Sequence, residues 1–293
     1  MSMLLGGLLA LAACTSSSSP PPDAAVRVVA TTTVLANLVS EVGGDRVSVR
    51  SLVPPGGEPH TFDPRPSDVT AFVDADLVVM NGLGLDDWVV DLVGEAGSDA
   101  PVVRLGEELP GAEYLADDEG DGLNPHLWLN VAYAMGYVDR IAAALAEVDP
   151  DEVEGYEGRA SEYRAELEEL DASARAQLAT IPEERRRVVA FHQAFLYFAA
   201  AYGLEVVGVV VDAPGQDPSA GEVAALIDAI RESGVSAILS EDQFPTDLVD
   251  QIAAETGVTV VADLYSDSLG DPPGDTYVGM IRYDVERLVE ALR

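Results

Sequence analysis

The chain contains three histidines, His60, His126 and His192, and each follows a short apolar run and precedes a segment with helical character. Asp267 occupies a fourth position of this kind. Three imidazoles and one carboxylate are a donor set for a transition metal, most naturally zinc. A lone histidine in an α/β protein is more often a hydrogen-bonded structural residue, but here all three share one kind of loop. The sequence therefore predicts a metal site formed by these four residues.

The segments around these residues alternate between apolar, β-rich runs and helical patterns, which indicates parallel sheets covered by helices. Predicted strands cover 26–31, 47–53, 76–80 and 101–105 in the first half, and 187–191, 205–211, 235–240 and 258–262 in the second. Predicted helices cover about 34–42, 86–95, 194–202, 219–233, 245–256 and 276–292, and further helices begin at Ser67, a good N-cap, and near Val131.

A different element separates the two halves. Between Pro150 and Pro182, apolar residues recur at steps of three and four on an otherwise charged segment, which predicts one long helix over 151–181. Two shorter helices broken near Gly155 and Gly158 are the alternative.

The expected fold is therefore α/β, with two lobes of about four parallel strands each, 26–150 and 182–293, joined by the long helix. We expect each lobe to have its own core. Ligands of open parallel sheets bind at the carboxyl ends of the strands. Two of the four predicted metal ligands come from each lobe, so they converge only if the lobes face each other across a cleft.

The N-terminus predicts a secreted protein. Residues 1–14 form a short apolar stretch that ends in Leu-Ala-Ala-Cys, which resembles a bacterial lipobox with Cys14 as the lipidated residue. The Ser/Pro-rich residues 15–25 are typical of a flexible tether. A secretory signal with an incidental cysteine is the alternative. No lysine or arginine precedes the apolar stretch, which departs from the usual signal peptide, so the true translation start stays open.

The composition is strongly acidic. The 52 acidic residues outnumber the 16 basic ones, all of them arginine, and leave a net charge of −36. Such a surface repels nucleic acid and anionic membranes, so we expect no nucleic-acid partner. Diffuse charge is otherwise a property of solubility rather than of a site. Cys14 is the sole cysteine, which excludes a disulfide within the chain.

Several segments resemble, in order, the TroA-like zinc/manganese substrate-binding proteins of ABC importers. They are EPHTFDPRPSD (58–68), NPHLWLN (124–130), FHQAFLYFAAAYGL (191–204), SEDQFP (240–245), YSDSLG (265–270) and the last helix, TYVGMIRYDVERLVEAL (276–292). Matched residue by residue, the resemblance implies that His60, His126, His192 and Asp267 bind the metal. It also implies a lipid-anchored extracytoplasmic protein, monomeric and without enzymatic activity, that delivers metal to an ABC permease and its ATPase.

Two positions bear on the metal and its capture. In the family, glutamate at the third ligand position tends to accompany manganese; His192 stands there, so we expect zinc, with manganese as the alternative. Neutral imidazoles predict an affinity that falls below about pH 6. Zinc members of the family often carry a His-rich loop before the second ligand, where residues 113–122 are acidic and lack histidine. These residues either collect cations or form a solvated loop.

Two other functions use the same donors. A zinc hydrolase would need an open coordination position and a nearby base such as Glu58 or Glu241, and four protein ligands argue against it. A surface adhesion protein with a structural metal would unfold without the ion, whereas a transport protein stays folded when empty. No Gly-x-Ser-x-Gly, P-loop or Cys–His nucleophile pattern is present.

Overall fold

The computed structural model describes residues 25–117 and 122–293. The predicted signal peptide, Cys14, nearly all of the predicted tether and residues 118–121 of the acidic loop lie outside the described residues. Among the described residues, no helix combines the length and the apolar character needed to cross a membrane.

The first lobe is built on a four-stranded parallel sheet. Its strands are β1 (Val26–Ala30), β2 (Val47–Ser51), β3 (Leu77–Met80) and β4 (Val102–Arg104), in the order β2-β1-β3-β4. The apolar strands β1 and β3 are central and buried, as expected for strands covered on both faces. Its helices are α1 (Thr33–Gly43), α2 (Pro66–Val73), α3 (Trp88–Glu95) and α4 (Val131–Val148).

Two predicted helix starts in this lobe are wrong by one or two residues. Helix α2 begins at Pro66 rather than after Ser67, because proline suits the first helical position and the Asp68 carboxylate accepts a hydrogen bond from the backbone of Arg65. Helix α3 begins at Trp88, since the carboxylate of Asp86 instead accepts hydrogen bonds from the backbone of the preceding loop.

One unbroken helix, α5 (Val153–Leu178), separates the two sheets, which confirms the prediction of a long helix. Gly155 and Gly158 lie within it and do not break it. Its buried stripe repeats every three or four residues and packs against α1, α4 and the C-terminal helix. The buried residues of this stripe are Tyr156, Ala160, Tyr163, Leu167, Leu170, Ala174 and Leu178.

The second lobe repeats the topology of the first, which confirms the predicted fold class. Strands β5 (Arg187–Ala190), β6 (Glu205–Val209), β7 (Ala237–Glu241) and β8 (Thr259–Leu264) are parallel, in the order β6-β5-β7-β8. The helices are α6 (Leu196–Tyr202), α7 (Ala220–Ser233), α8 (Asp247–Thr256) and α9 (Tyr277–Leu292).

The expectation of a separate core in each lobe is wrong. One continuous core includes Leu38 and Tyr137 of the first lobe, Leu167 of α5, and Phe198 and Ile281 of the second. The cause is that α5 and α9 pack along the inner faces of both lobes. Within residues 25–117 and 122–293, a separate, smaller apolar cluster lies on the outer face of each sheet. This shared core joins the lobes through packed side chains rather than through a flexible linker.

Candidate metal centre

The four residues singled out in the sequence come together between the lobes. His60 lies on the loop after β2, and His126 lies on the long loop after β4. His192 follows β5 directly, and Asp267 follows β8. All four loops leave the carboxyl ends of their strands, so parallel topology brings them to one cleft. One donor atom from each residue lies within 4.8 Å of the other three.

The distances between the donor atoms match those around a single ion. Nε2 of His126 lies 3.0 Å from Nε2 of His60 and 3.3 Å from Nε2 of His192. The carboxylate of Asp267 places Oδ1 3.3 Å from Nε2 of His126 and Oδ2 3.2 Å from Nε2 of His192. Tetrahedral zinc with bonds of about 2.0–2.1 Å separates neighbouring donors by about 3.3 Å. The donors are therefore close enough together to bind one ion.

The site is accessible from one side. His126, His192 and Asp267 are buried, with relative exposures of 1%, 1% and 0%, whereas His60 is half-buried. A cavity of about 160 Å³ adjoins the imidazoles, and Leu83 and Asn124 are among the residues that line it. A larger cavity of about 490 Å³ lies beside Glu58 and is lined by none of the four. We infer that an ion reaches the donors through the smaller cavity.

The imidazole of His126 is held by Asn124. Oδ1 of Asn124 lies 3.0 Å from Nδ1 of His126 and accepts a hydrogen bond from the backbone N–H of the same histidine at 3.1 Å. An Nδ1–H donor leaves the Nε2 lone pair free for a metal. Nδ2 of Asn124 donates to the backbone carbonyl of Gln193 at 2.9 Å, next to His192. One amide therefore connects the loops of two candidate ligands from opposite lobes.

The other ligands also have polar partners. Nδ1 of His192 lies 3.1 Å from Oε1 of Glu241, the last residue of β7. Gln243 donates through Nε2 to Oδ2 of Asp267 at 3.1 Å. The backbone N–H of His60 donates to Oε1 of Glu58 at 2.8 Å. Each partner limits the rotation of a ligand or its loop, so the site is largely preorganised.

The loop that lines the small cavity is held by a buried carboxylate. Asp86 accepts hydrogen bonds from Thr31 Oγ1 and from the backbone N–H groups of Asn81 and Gly82, at 2.6–2.8 Å. Burial nevertheless raises the pKa of Asp86 to about 6. Nδ2 of Asn81 donates to the carbonyl of Pro125 at 3.1 Å, beside His126. Asp86 and Asn81 therefore fix both the cavity wall and the His126 loop.

The ligand side chains have strongly perturbed pKa values. Burial lowers the pKa of His60 to about 3 and lowers that of His126, so both imidazoles are neutral at physiological pH. Burial also lowers the pKa of His192, but the carboxylates of Glu241 and Asp267 outweigh it and raise that pKa well above its usual value. Burial raises the pKa of Asp267, yet His126 and His192 outweigh it and hold that pKa well below its usual range.

Several residues that support this site are not predicted from the sequence. Asn124 lies in one of the family-like motifs, but the sequence predicts no role for it, and it predicts none for Gln243 or Asp86. Asn124 stands two residues before a candidate ligand, and Gln243 follows the carboxyl end of β7, so both positions carried a signal. Asp86 carried none, because its contacts are to backbone groups brought together by folding. Glu241, which is a candidate base for hydrolysis from the sequence, lies behind the imidazole of His192 in the structure.

The family follows from comparison with known proteins. The family model described as zinc-uptake complex component A, periplasmic, matches residues 28–291. The chain therefore belongs to this family of metal-binding, extracytoplasmic substrate-binding proteins of ABC importers, which are not enzymes. The fold and the cleft site agree with this class.

Individual relatives are named for different metals. The chain is 35% identical over 262 residues to the manganese-binding lipoprotein MntA of Halalkalibacterium halodurans, covering 89% of this chain and 86% of the relative. It is 30% identical over 269 residues to MntA of Bacillus subtilis, with coverages of 89% and 88%. The solved periplasmic zinc-binding protein TroA of Treponema pallidum superposes with a TM-score of 0.84 at 29% identity, covering 91% of this chain and 99% of that structure.

Proposed function

We propose that this protein captures Zn²⁺ between its lobes and delivers it to an ABC permease. The ATPase of that importer powers the uptake. The proposed ligands are His60, His126, His192 and Asp267. The observation that carries the proposal is the convergence of three imidazoles and one carboxylate, with four contacts between them of 3.0–3.3 Å, close to the separation of neighbouring donors around zinc. The permease partner follows from the family, since its members are the substrate-binding components of importers.

Manganese is the second candidate, because several relatives, including both MntA proteins, are named for it. The donor set favours zinc for two reasons. Imidazole suits zinc, whereas manganese prefers octahedral oxygen donors, and a given site of this kind binds zinc more tightly than manganese. Three of the four donors here are imidazole nitrogens. A fourth, carboxylate donor serves either ion, so the choice depends on the three histidines.

We further propose that the mature protein is a monomer, anchored to the membrane through lipid on Cys14 and held away from it by the tether 15–25. The lipobox-like sequence supports the anchor, and relatives in this family are named lipoproteins. We propose the lobe boundaries 26–150 and 182–293, with 151–181 as the connecting segment.

A structural metal in an adhesion protein is the alternative to transport. The continuous core and the ligand partners that need no ion favour a chain that stays folded when empty. Removing metal with a chelator and following unfolding by circular dichroism distinguishes the two. Transport predicts a cooperative, folded metal-free state, and a structural metal predicts loss of the fold.

The direct test of the proposed metal has two parts. Protein purified without added metal is analysed for its elements, and the metal-free protein is then titrated with Zn²⁺ and Mn²⁺ in competition. We expect one equivalent of zinc and a tighter zinc complex. A tighter manganese complex at physiological pH would assign the site to manganese instead.

A further inference from the structure

The carboxylate of Glu241 is buried behind a candidate ligand and has few partners of its own. It is 1% exposed, and its Oε1 lies 3.1 Å from Nδ1 of His192, the nitrogen that faces away from the other candidate ligands. This contact is an ion pair rather than a hydrogen bond, and within the part of the chain that the structure describes neither oxygen of Glu241 has a hydrogen-bond partner. Burying a carboxylate with so few partners is costly, so its position calls for a function beyond packing.

The sheet fixes this arrangement. Strand β7 lies beside β5, with Leu239 paired with Ala190, so the end of β7 reaches the start of the His192 loop. His192 is also confined on another side by Phe244, whose ring lies at 5.5 Å in a T-shaped contact. The imidazole therefore stands between an aromatic ring and a carboxylate, with Nε2 directed at His126 and Asp267.

The two buried histidines differ in the group behind them. Nδ1 of His126 faces the neutral amide oxygen of Asn124, whereas Nδ1 of His192 faces a carboxylate. A carboxylate is the stronger acceptor, and it increases the electron density that the imidazole offers a metal through its other nitrogen. His192 is accordingly the stronger donor of the pair.

We propose that Glu241 is a positioning and specificity-determining residue, which orients His192 and strengthens its Nε2 as a donor, and thereby favours zinc over manganese. This inference rests on the proposed function. Zinc gains more from a strong nitrogen donor than manganese does, because manganese prefers oxygen donors. Glu241 therefore acts through His192 and does not itself bind the ion.

Two substitutions test this role. Glu241→Gln keeps the shape and an acceptor oxygen but removes the charge, and Glu241→Ala removes both. We expect zinc affinity to fall about 10-fold in E241Q and about 100-fold in E241A, the range seen when groups behind a ligand are lost. In E241Q, manganese affinity falls by a smaller factor, so the ratio of zinc to manganese affinity decreases. Ser240→Ala is the matched control, since Ser240 is the adjacent buried residue of β7 and its Oγ has no partner among the described residues.

The readout separates this role from a structural one. Damage to the fold lowers the affinities for zinc and manganese by the same factor and lowers the thermal stability of the metal-free variant. The proposed role instead changes the ratio of zinc affinity to manganese affinity. If E241A does not fold, E241Q alone decides. Equal losses for both metals in E241Q, or an unchanged zinc affinity, would overturn the inference. Failure of the proposed function is separate, because it would show as a preference of the unmodified protein for manganese.

Discussion

The indole Nε1 of Trp128 donates a hydrogen bond of 2.9 Å to the backbone carbonyl of Ser266. Trp128 follows His126 by two residues, and Ser266 directly precedes Asp267, so this bond crosses between the lobes beside a ligand from each. The hydroxyl of Tyr277 donates to the carbonyl of Trp128 at 2.6 Å and adds a second tie. The separation of the two sides of the site is therefore set by the protein before an ion arrives.

Trp128 should report metal binding through its fluorescence. Its ring centroid lies 5.2 Å from that of His126, so an ion on Nε2 of that histidine changes the electric field at the indole. We expect a saturable change in emission that ends at one equivalent of zinc. The change should persist in Trp88→Phe, which removes the other tryptophan, and should disappear in Trp128→Phe. An undiminished change in emission in the Trp128→Phe variant would show that the ion binds away from His126.

His126→Ala should lower zinc affinity by more than about 100-fold, because even the loss of a group behind a ligand costs 10- to 100-fold. His126 lies among polar groups and contributes little to the continuous core. The free energy of unfolding of the metal-free variant should therefore stay within about 1 kcal/mol of the unmodified protein. Calorimetric titration measures the zinc affinity, and chemical denaturation measures the free energy of unfolding. A metal-free variant that does not fold would point to a structural metal.

Zinc binding should release about one proton near neutral pH. The pKa of His192 is raised by its carboxylate neighbours, so its imidazole carries a proton below that raised pKa and the ion must displace it. Affinity should therefore fall by up to about tenfold per pH unit as the pH decreases through the neutral range. His60, with a pKa of about 3, adds to this fall only in strong acid. Titrations in buffers of different ionisation enthalpy count the protons; zero release at pH 7 contradicts this assignment.

The approach of the two lobes at Gly215 should control affinity. A Cβ at Gly215 would lie 2.7 Å from Cγ2 of Thr61, which follows His60 on the opposite lobe. Gly215→Ala should therefore push the lobes apart and weaken zinc binding about tenfold, near the low end of the cost of overpacking. Gly234→Ala is the control, because both glycines have positive φ (84° and 64°) but Gly234 faces open space.

A second substitution makes this test specific. Thr61→Ser removes Cγ2 and keeps the hydroxyl, so it should restore much of the affinity of Gly215→Ala. Affinity that stays low in the double variant would show that backbone strain at Gly215, rather than contact between the lobes, is responsible.

The sequence was sufficient for the main features of the site because topology determines them. His60, His126, His192 and Asp267 each follow a predicted strand, and parallel strands deliver such residues to one edge. The 3–4 periodicity of 151–181 likewise predicted α5 and its buried stripe. These are local patterns, and a single chain displays them directly.

The features that the sequence does not predict depend on long-range contacts. The start of α3 at Trp88 depends on the hydrogen bonds that Asp86 makes to Thr31, Asn81 and Gly82. The continuous core depends on α5 and α9 packing against both lobes, which no local periodicity reveals. The contact of Glu241 with His192 depends on β7 lying beside β5. The sequences of these two strands do not by themselves predict that they are neighbours.

The most direct test of the central claim is a crystal structure of the zinc-loaded protein with anomalous diffraction measured at the zinc edge. We predict one anomalous peak between the lobes, which marks a zinc ion bonded at about 2.0–2.2 Å to His60, His126, His192 and Asp267. A peak that lacks any of these four donors, or a second ion sharing them, would contradict it.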